Sequence, residues 1–412
     1  MEGVLEIHSP VAFDESIAHY EIHAHQPYTS TTFNNSDEIR IAIQHQDLCL
    51  LPSRSSLRIC GKMTKQDGVT ALTNTKFVNN AVCHLFEDIR YELNAIEIDR
   101  CKNVGLTSLM KGWASFSPGK SQLLQNAGWL DVEEKDTLIN AAGFFEAIIP
   151  LDMIFGFAED YRKIIVNTKH ELILMRSRND VNAVRQTSVQ VENRVTYEDY
   201  KIVLTKIEWL MPYVTMADEY KLRLLKHLER NRPISMSFRT WEMYEYPLLP
   251  ATTRHVWTVK TSNQLEKPRF IILGLQTQRK SINTANASQF DHCNITNVKL
   301  FLNSQYYPYN NLNLEIHNDQ YALLYNMYAN FQSAYYNKEN EPILARKHFI
   351  NNVPLIVIDC SKQNEALKNA PVDVRLEFES RNNFPDGTSA YCLILHDRII
   401  QYSPITGDVK KM

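Results

Sequence analysis

Phe86-Glu87-Asp88-Ile89-Arg90-Tyr91-Glu92-Leu93-Asn94-Ala95-Ile96-Glu97-Ile98-Asp99 is the stretch on which the fold turns. Ile89, Tyr91 and Leu93 hold odd positions, whereas Ile96 and Ile98 hold even ones. Side chains of a strand alternate between its faces, so one continuous strand keeps its apolar phase. Here the phase changes across Asn94–Ala95, two turn-prone residues. That pattern predicts two antiparallel strands joined by a tight turn.

Strand-type segments lie on both sides of this hairpin. Upstream, Ile39, Ile41 and Ile43 alternate with Arg40, Ala42 and Gln44, and Leu57 and Ile59 mark another strand. Met1 to Asn35 lacks a strong period and reads as an arm or irregular lead-in. Downstream, strands are expected at Phe144–Ile149, Lys163–Asn167, Glu171–Met175 and Ile202–Met211, with a helical piece at Leu151–Glu159. The period then changes. Tyr220, Leu224, Leu225 and Leu228 fall on one helical face, with Asp218 as N-cap and Arg232–Pro233 as the stop.

The second half repeats the style. Strands are expected at Ile234–Trp241, His255–Thr261, Phe270–Gln276, Val298–Leu302, Leu355–Cys360, Val372–Glu379 and Tyr391–Tyr402. A helix over Tyr321–Tyr335 carries Tyr321, Leu324, Tyr325 and Tyr328 on one face. Leu151–Met211 and Tyr321–Tyr402 both read as helix, short strand, second strand, long strand. Two similar β domains in tandem suggest two sandwiches side by side. The 412 residues suit two domains, and only 12 glycines disfavour a propeller or a Gly-rich phosphate-binding fold.

Composition narrows the function classes. Hydrophobic residues make up 44% and charged residues 22%, enough apolar surface for a packed core. Lys and Arg (44) nearly balance Asp and Glu (47), for a net charge of −3. No basic run marks a nucleic-acid binder, so no specific nucleic-acid partner is expected. Seven cysteines without a CxxC pair argue against a disulfide framework and a structural zinc site. No secretory leader and no apolar run long enough for a membrane span are visible, which points to a reducing compartment. Three Asn-x-Ser/Thr sequons, at Asn34, Asn286 and Asn294, are then expected to be chance matches.

Motifs for catalysis are missing. Neither a P-loop, G-x-S-x-G, H-E-x-x-H nor G-x-G-x-x-G occurs. His19, His23 and His25 would share one face of a strand, as zinc ligands can, but no fourth ligand is evident. Asp291-His292-Cys293 holds a nucleophile beside a base, yet neighbours on a strand point apart. Tyr306-Tyr307-Pro308-Tyr309 and Tyr321–Tyr336 could stack on sugars or bases; filling the core and subunit contacts is the preferred reading. No residue is assigned to catalysis, to a cofactor or to a metal.

The hairpin segment, led by Leu85, resembles one found in double jelly-roll major capsid proteins of the Polinton (Maverick) and adintovirus group. Phe33-Asn34-Asn35-Ser36-Asp37-Glu38-Ile39-Arg40-Ile41 resembles the start of the first roll in capsid-like proteins endogenised in arthropod genomes. Leu123 to Trp129, Gly156 to Tyr161, Trp241 to Thr253, Phe290 to Asn294 and Leu300 to Ser304 are similar too, so the resemblance spans about residues 33 to 404. It implies an all-β chain with short helices, folded as two tandem jelly-roll sandwiches of eight antiparallel strands each. The implied division is an N-terminal arm at 1–33, a first roll at 34–216 and a second at 217–412, with 217–231 as a linking helix.

The resemblance further implies a homotrimer that forms a pseudo-hexagonal tile of an icosahedral virion shell. Such shells assemble in the host nucleus or cytoplasm, alongside penton and other minor capsid proteins. No cofactor and no enzymatic activity are implied. Interface residues are expected on loops and on Met1–Phe33 and Gln401–Met412. Competing readings are a domesticated or accessory sandwich, for example a glycan-binding module, and a sandwich-type glycoside hydrolase. The first would be a monomer with saturable ligand; the second would need two convergent carboxylates.

Overall fold

The computed structural model describes residues 16–29, 32–44, 49–132, 137–191, 194–229, 232–261, 268–303, 305–362 and 372–412. Sixteen of its strands build two sandwiches. The first uses β1 (Ile17–His25), β2 (Glu38–Ile43), β3 (Ser56–Thr64), β4 (Phe86–Leu93), β5 (Ile96–Lys102), β6 (Phe144–Pro150), β7 (His170–Arg176) and β8 (Lys201–Met216). The second uses β9 (Ile234–Tyr246), β10 (Arg254–Thr261), β11 (Pro268–Thr277), β12 (Ile295–Leu302), β13 (Gln305–Tyr307), β14 (Ile356–Asp359), β15 (Asp373–Ser380) and β16 (Thr388–Tyr402).

The first sandwich has sheets ordered β1-β8-β3-β6 and β2-β7-β4-β5. The second has β9-β16-β11-β14 and β10-β15-β12-β13. Adding eight to every label of the first sandwich yields the second, and every pair is antiparallel. This is the jelly-roll order, twice in one chain.

The hairpin forms where the phase change placed it. Leu93 pairs with Ile96, and Asn94 (φ 48°) and Ala95 (φ 63°) both sit in the left-handed region, as a type I′ turn requires. One detail differs. Register shifts where Tyr91 meets Asp99 and Glu92 meets Glu97, so Ile98 is an extra residue in the ladder. Ile96 is consequently exposed, while Ile98, Asp99 and Cys101 are buried.

The arm reading needs correction for residues 17–25. They form β1, hydrogen-bonded along β8 from Ile17↔Met216 to His25↔Trp209, and it takes in the first sandwich the place that β9 takes in the second. Nearly every β1 side chain is exposed, so its alternation reports no buried face. Residues 1–15 of the expected arm lie outside the described residues.

The linking helix is present as Asp218–Leu228, with Asp218 inside its first turn, where a carboxylate suits the free N–H groups. Its expected face is not buried: Tyr220 and Leu225 are exposed, and Leu224 and Leu228 are half-buried. The Tyr321–Tyr335 helix divides at Asn330 into Ala322–Ala329 and Phe331–Tyr336, with Tyr321, Leu324 and Tyr328 buried as expected and Tyr325 partly so. The expected strand Lys163–Asn167 shrinks to Ile165–Val166.

Periodicity gave no sign of the helix Val104–Ser115, every residue of which is buried. A helix without a wet side shows no stripe. It follows β5, just as the Ala322–Ala329 helix follows β13. The topological partner of the tyrosine helices is therefore Val104–Ser115, not Leu151–Glu159.

Candidate assembly surface

The two sandwiches meet along a buried seam. A continuous apolar cluster runs through both, and helix Gly156–Asp160 lies against β9 of the second sandwich. A Cβ on Gly156 would stand 1.8 Å from the Arg239 carbonyl oxygen, so only glycine permits this approach.

Polar groups in the seam are paired across it. Lys111 Nζ, which donates to both oxygens of Glu159 in its own roll at 3.1 Å, also donates across the seam to Tyr336 OH at 2.8 Å, with both charged side chains almost fully buried. The ammonium also lies 4.6 Å from the Trp241 ring centroid. Burial lowers the Lys111 pKa, against the pull of Glu159. Arg239 forks onto Asp160 at 2.6 and 2.8 Å, and its guanidinium stacks 3.6 Å over Tyr335.

Asp99, turned inward by the hairpin bulge, accepts from the Phe157 N–H at 2.9 Å and from the Thr240 hydroxyl. Burial raises its pKa. Tyr328 OH donates to the Trp113 carbonyl at 3.0 Å, and Gln332 Nε2 to that of Phe116 at 3.0 Å. Ser288 Oγ donates to the Asn79 carbonyl at 2.6 Å and lies 3.4 Å from Nε2 of buried His84. These bonds are directional, so together they fix one side-by-side arrangement.

The outer surface carries apolar groups of another kind. On β1, Ile17, Tyr20 and Ile22 are 49, 46 and 60% exposed, and Tyr220, Leu222 and Leu225 stand out on the adjoining helix. An edge strand with exposed apolar side chains is a typical contact surface. Tyr306 and Tyr309 stack at 5.8 Å on the second sandwich and are also exposed, with Lys299 4.8 Å over the Tyr306 ring. Tyr321, Tyr328 and Tyr335 are core residues instead.

The residues singled out for chemistry are engaged elsewhere. His19 and His23 do share a face, and both bond Glu21 between them, His23 at 2.6 Å. Those hydrogen bonds, from His19 first, hold Glu21 below the usual carboxylate range. His25 Nε2 instead meets Tyr213 OH at 2.9 Å. Among the described residues no group of three or more His, Cys, Asp or Glu is placed to hold a metal ion. Asp291 binds Arg279 at 2.7 Å, His292 Nδ1 accepts from the Asn294 N–H at 3.0 Å, and burial pushes the Cys293 thiol up to about 11. Cys293 Sγ lies 3.6 Å from the Thr277 hydroxyl, and no hydrogen bond joins the three side chains to one another. All seven cysteines are free thiols. No described helix is long and apolar enough to cross a membrane.

Residues 75–400 match the family model described as a double jelly roll-like domain. The chain belongs to this family. Solved structures match over nearly all of it. The Sputnik virophage structure matches with a TM-score of 0.62 at 9% identity, covering 99% of this chain and 91% of that one. The PBCV-1 virus capsid matches at 0.61 and 8%, covering 98% of each. The mavirus major capsid protein matches at 0.58 and 11%, covering 100% and 93%. No curated protein matches the sequence. At identities of 8–11% the likeness is one of fold.

Proposed function

We propose that this chain is a viral major capsid protein, structural rather than catalytic, of the Polinton and adintovirus-like kind, including its endogenised copies. Three chains form a tile of six sandwiches, and tiles pack into an icosahedral virion shell. Penton and other minor capsid proteins complete the shell, which assembles in the host nucleus or cytoplasm. The observation that carries this reading is the pair of sandwiches with the same strand order, held side by side by a buried polar seam. A threefold axis acting on such a pair gives a near-sixfold outline that tiles a surface.

The similarity to virophage and mavirus capsid structures over the full chain supports it. We further infer two rolls divided near the Asp218–Leu228 helix, with the first beginning at β1 rather than at residue 34. Purified protein is expected to run as a trimer by light scattering and to give hexagonal tiles by electron microscopy. A monomer at all concentrations that binds a glycan saturably would overturn the assignment.

A further inference from the structure

The two rolls differ at one sheet edge. In the second, β9 covers β16 from Ile234↔Tyr402 to Tyr246↔Ala390. In the first, β1 covers β8 only from Ile17↔Met216 to His25↔Trp209. Lys201 to Glu208 of β8 then continue with β3 on one side and, among the described residues, no strand on the other. Eight residues of strand leave an open edge of about 27 Å.

Beside this edge lies a groove of about 720 Å³. Phe33, Val181, Tyr200, Ile202 and Leu204 give it an apolar lining, the exposed Arg178 and Lys201 stand at its rim, and the carboxylate of Asp180, which also lines it, is held by Arg176. An open ladder over an apolar groove suits an added strand, whose backbone completes the sheet and whose alternate side chains enter the groove.

We propose that this edge accepts a strand from residues 1–15 of a neighbouring copy of the chain, an inference that rests on the shell-subunit reading. Met1 to Glu15 carries Glu2, Glu6, Asp14 and Glu15 and no Lys or Arg, which complements the basic rim. Val4-Leu5-Glu6-Ile7 is rich in strand formers, and in a strand Leu5 and Ile7 would share the face opposite Glu6. The chain enters β1 beside Met216, the end of β8 remote from the groove, so the nine residues of β1, about 30 Å of strand, separate Ser16 from the groove of its own roll. The donor is accordingly a second copy.

Amide hydrogen exchange on the full-length chain tests this. Amides of 201–208 that face the open edge should slow at least tenfold as protein concentration rises. Leu5→Asp/Ile7→Asp should keep them fast, and Lys201→Glu should weaken the effect, while exchange in β16 stays unchanged in every variant. A synthetic peptide of residues 1–15 added to the double variant should restore the protection saturably, whether or not tiles form. Fast exchange with saturating peptide overturns the proposal even if trimers and tiles are seen. Protection that does not depend on concentration places the donor in the same chain and overturns it too. Absence of trimers alongside peptide-induced protection would overturn the capsid reading and leave the acceptor edge standing.

Discussion

Lowering the pH from 7 to 5 is expected to remove about 4 kcal/mol of folding stability through two histidines of the first roll. His84 packs beside Gly105 and faces Ser288 across the seam, and burial pushes its pKa down to about 4. His170 lies between Tyr91 OH at 2.8 Å and Thr168 Oγ1 at 3.1 Å, and burial pushes it to about 3. Both imidazoles are therefore neutral in the folded chain at pH 5, whereas in the unfolded chain they titrate near 6.5. The unfolded state then binds more protons, and stability falls as pH falls below about 6.5. Integrating that proton difference from pH 7 to 5 gives about 2 kcal/mol per histidine, or about 4 for the pair.

His255 and His292 are lowered by burial as well and act in the same direction. Asp99, raised by burial, acts in the opposite one, because its folded form takes a proton first. Urea unfolding at fixed protein concentration and both pH values measures the difference, with the His84→Gln/His170→Gln variant as control. That variant should lose most of the dependence. A wild-type change below about 1 kcal/mol, or an equal change in the variant, refutes the reasoning.

Other perturbations probe the seam and the hairpin. Glu159→Ala leaves the Lys111 ammonium buried without its carboxylate and should cost about 3–5 kcal/mol, whereas Lys111→Met/Glu159→Leu should be near neutral in urea unfolding. Gly156→Ala must push the helix off the Arg239 carbonyl and should cost about 1–3 kcal/mol, read as a lower thermal midpoint. Ala95→Gly relieves a left-handed alanine and should stabilise by about 1 kcal/mol, read as a higher urea midpoint with unchanged slope.

Strands were legible wherever one face is wet and the other dry. β15 shows it: Val374, Leu376 and Phe378 are buried while Asp373 and Arg375 are exposed, and the alternation is visible in the residues alone. The hairpin was legible for a second reason, since Asn94–Ala95 marks the turn locally. Val104–Ser115 was not, because a helix dry on all sides has no period to read. β1 escaped for the opposite reason. Ala18, Tyr20, Ile22 and Ala24 alternate with His19, Glu21, His23 and His25, yet both sets face solvent and the segment is rich in histidine. The seam could not be seen at all: Lys111 and Glu159 stand 48 residues apart, and only the fold brings them together.

Why the seam should be polar at all follows from what apolar burial cannot do. Hydrophobic contact is nearly indifferent to small rotations of one sandwich against the other, since area changes little. On the shell-subunit reading proposed above, a tile that must close on a threefold axis and then meet six neighbours tolerates little rotation. Lys111 and Glu159 with Tyr336, Arg239 with Asp160, and Asp99 with Thr240 each lose their bonds on a small shift, and each lost bond leaves a buried charge or dipole unpaired. Their value is thus in the angle they enforce rather than in net stability, where a buried pair often breaks even with an apolar one. Lys111→Met/Glu159→Leu separates the two contributions. Its folding stability should stay near that of the parent, while its tiles should lose regularity under the electron microscope. A variant that tiles as well as the parent would show that shape complementarity around Gly156 alone sets the angle between the rolls.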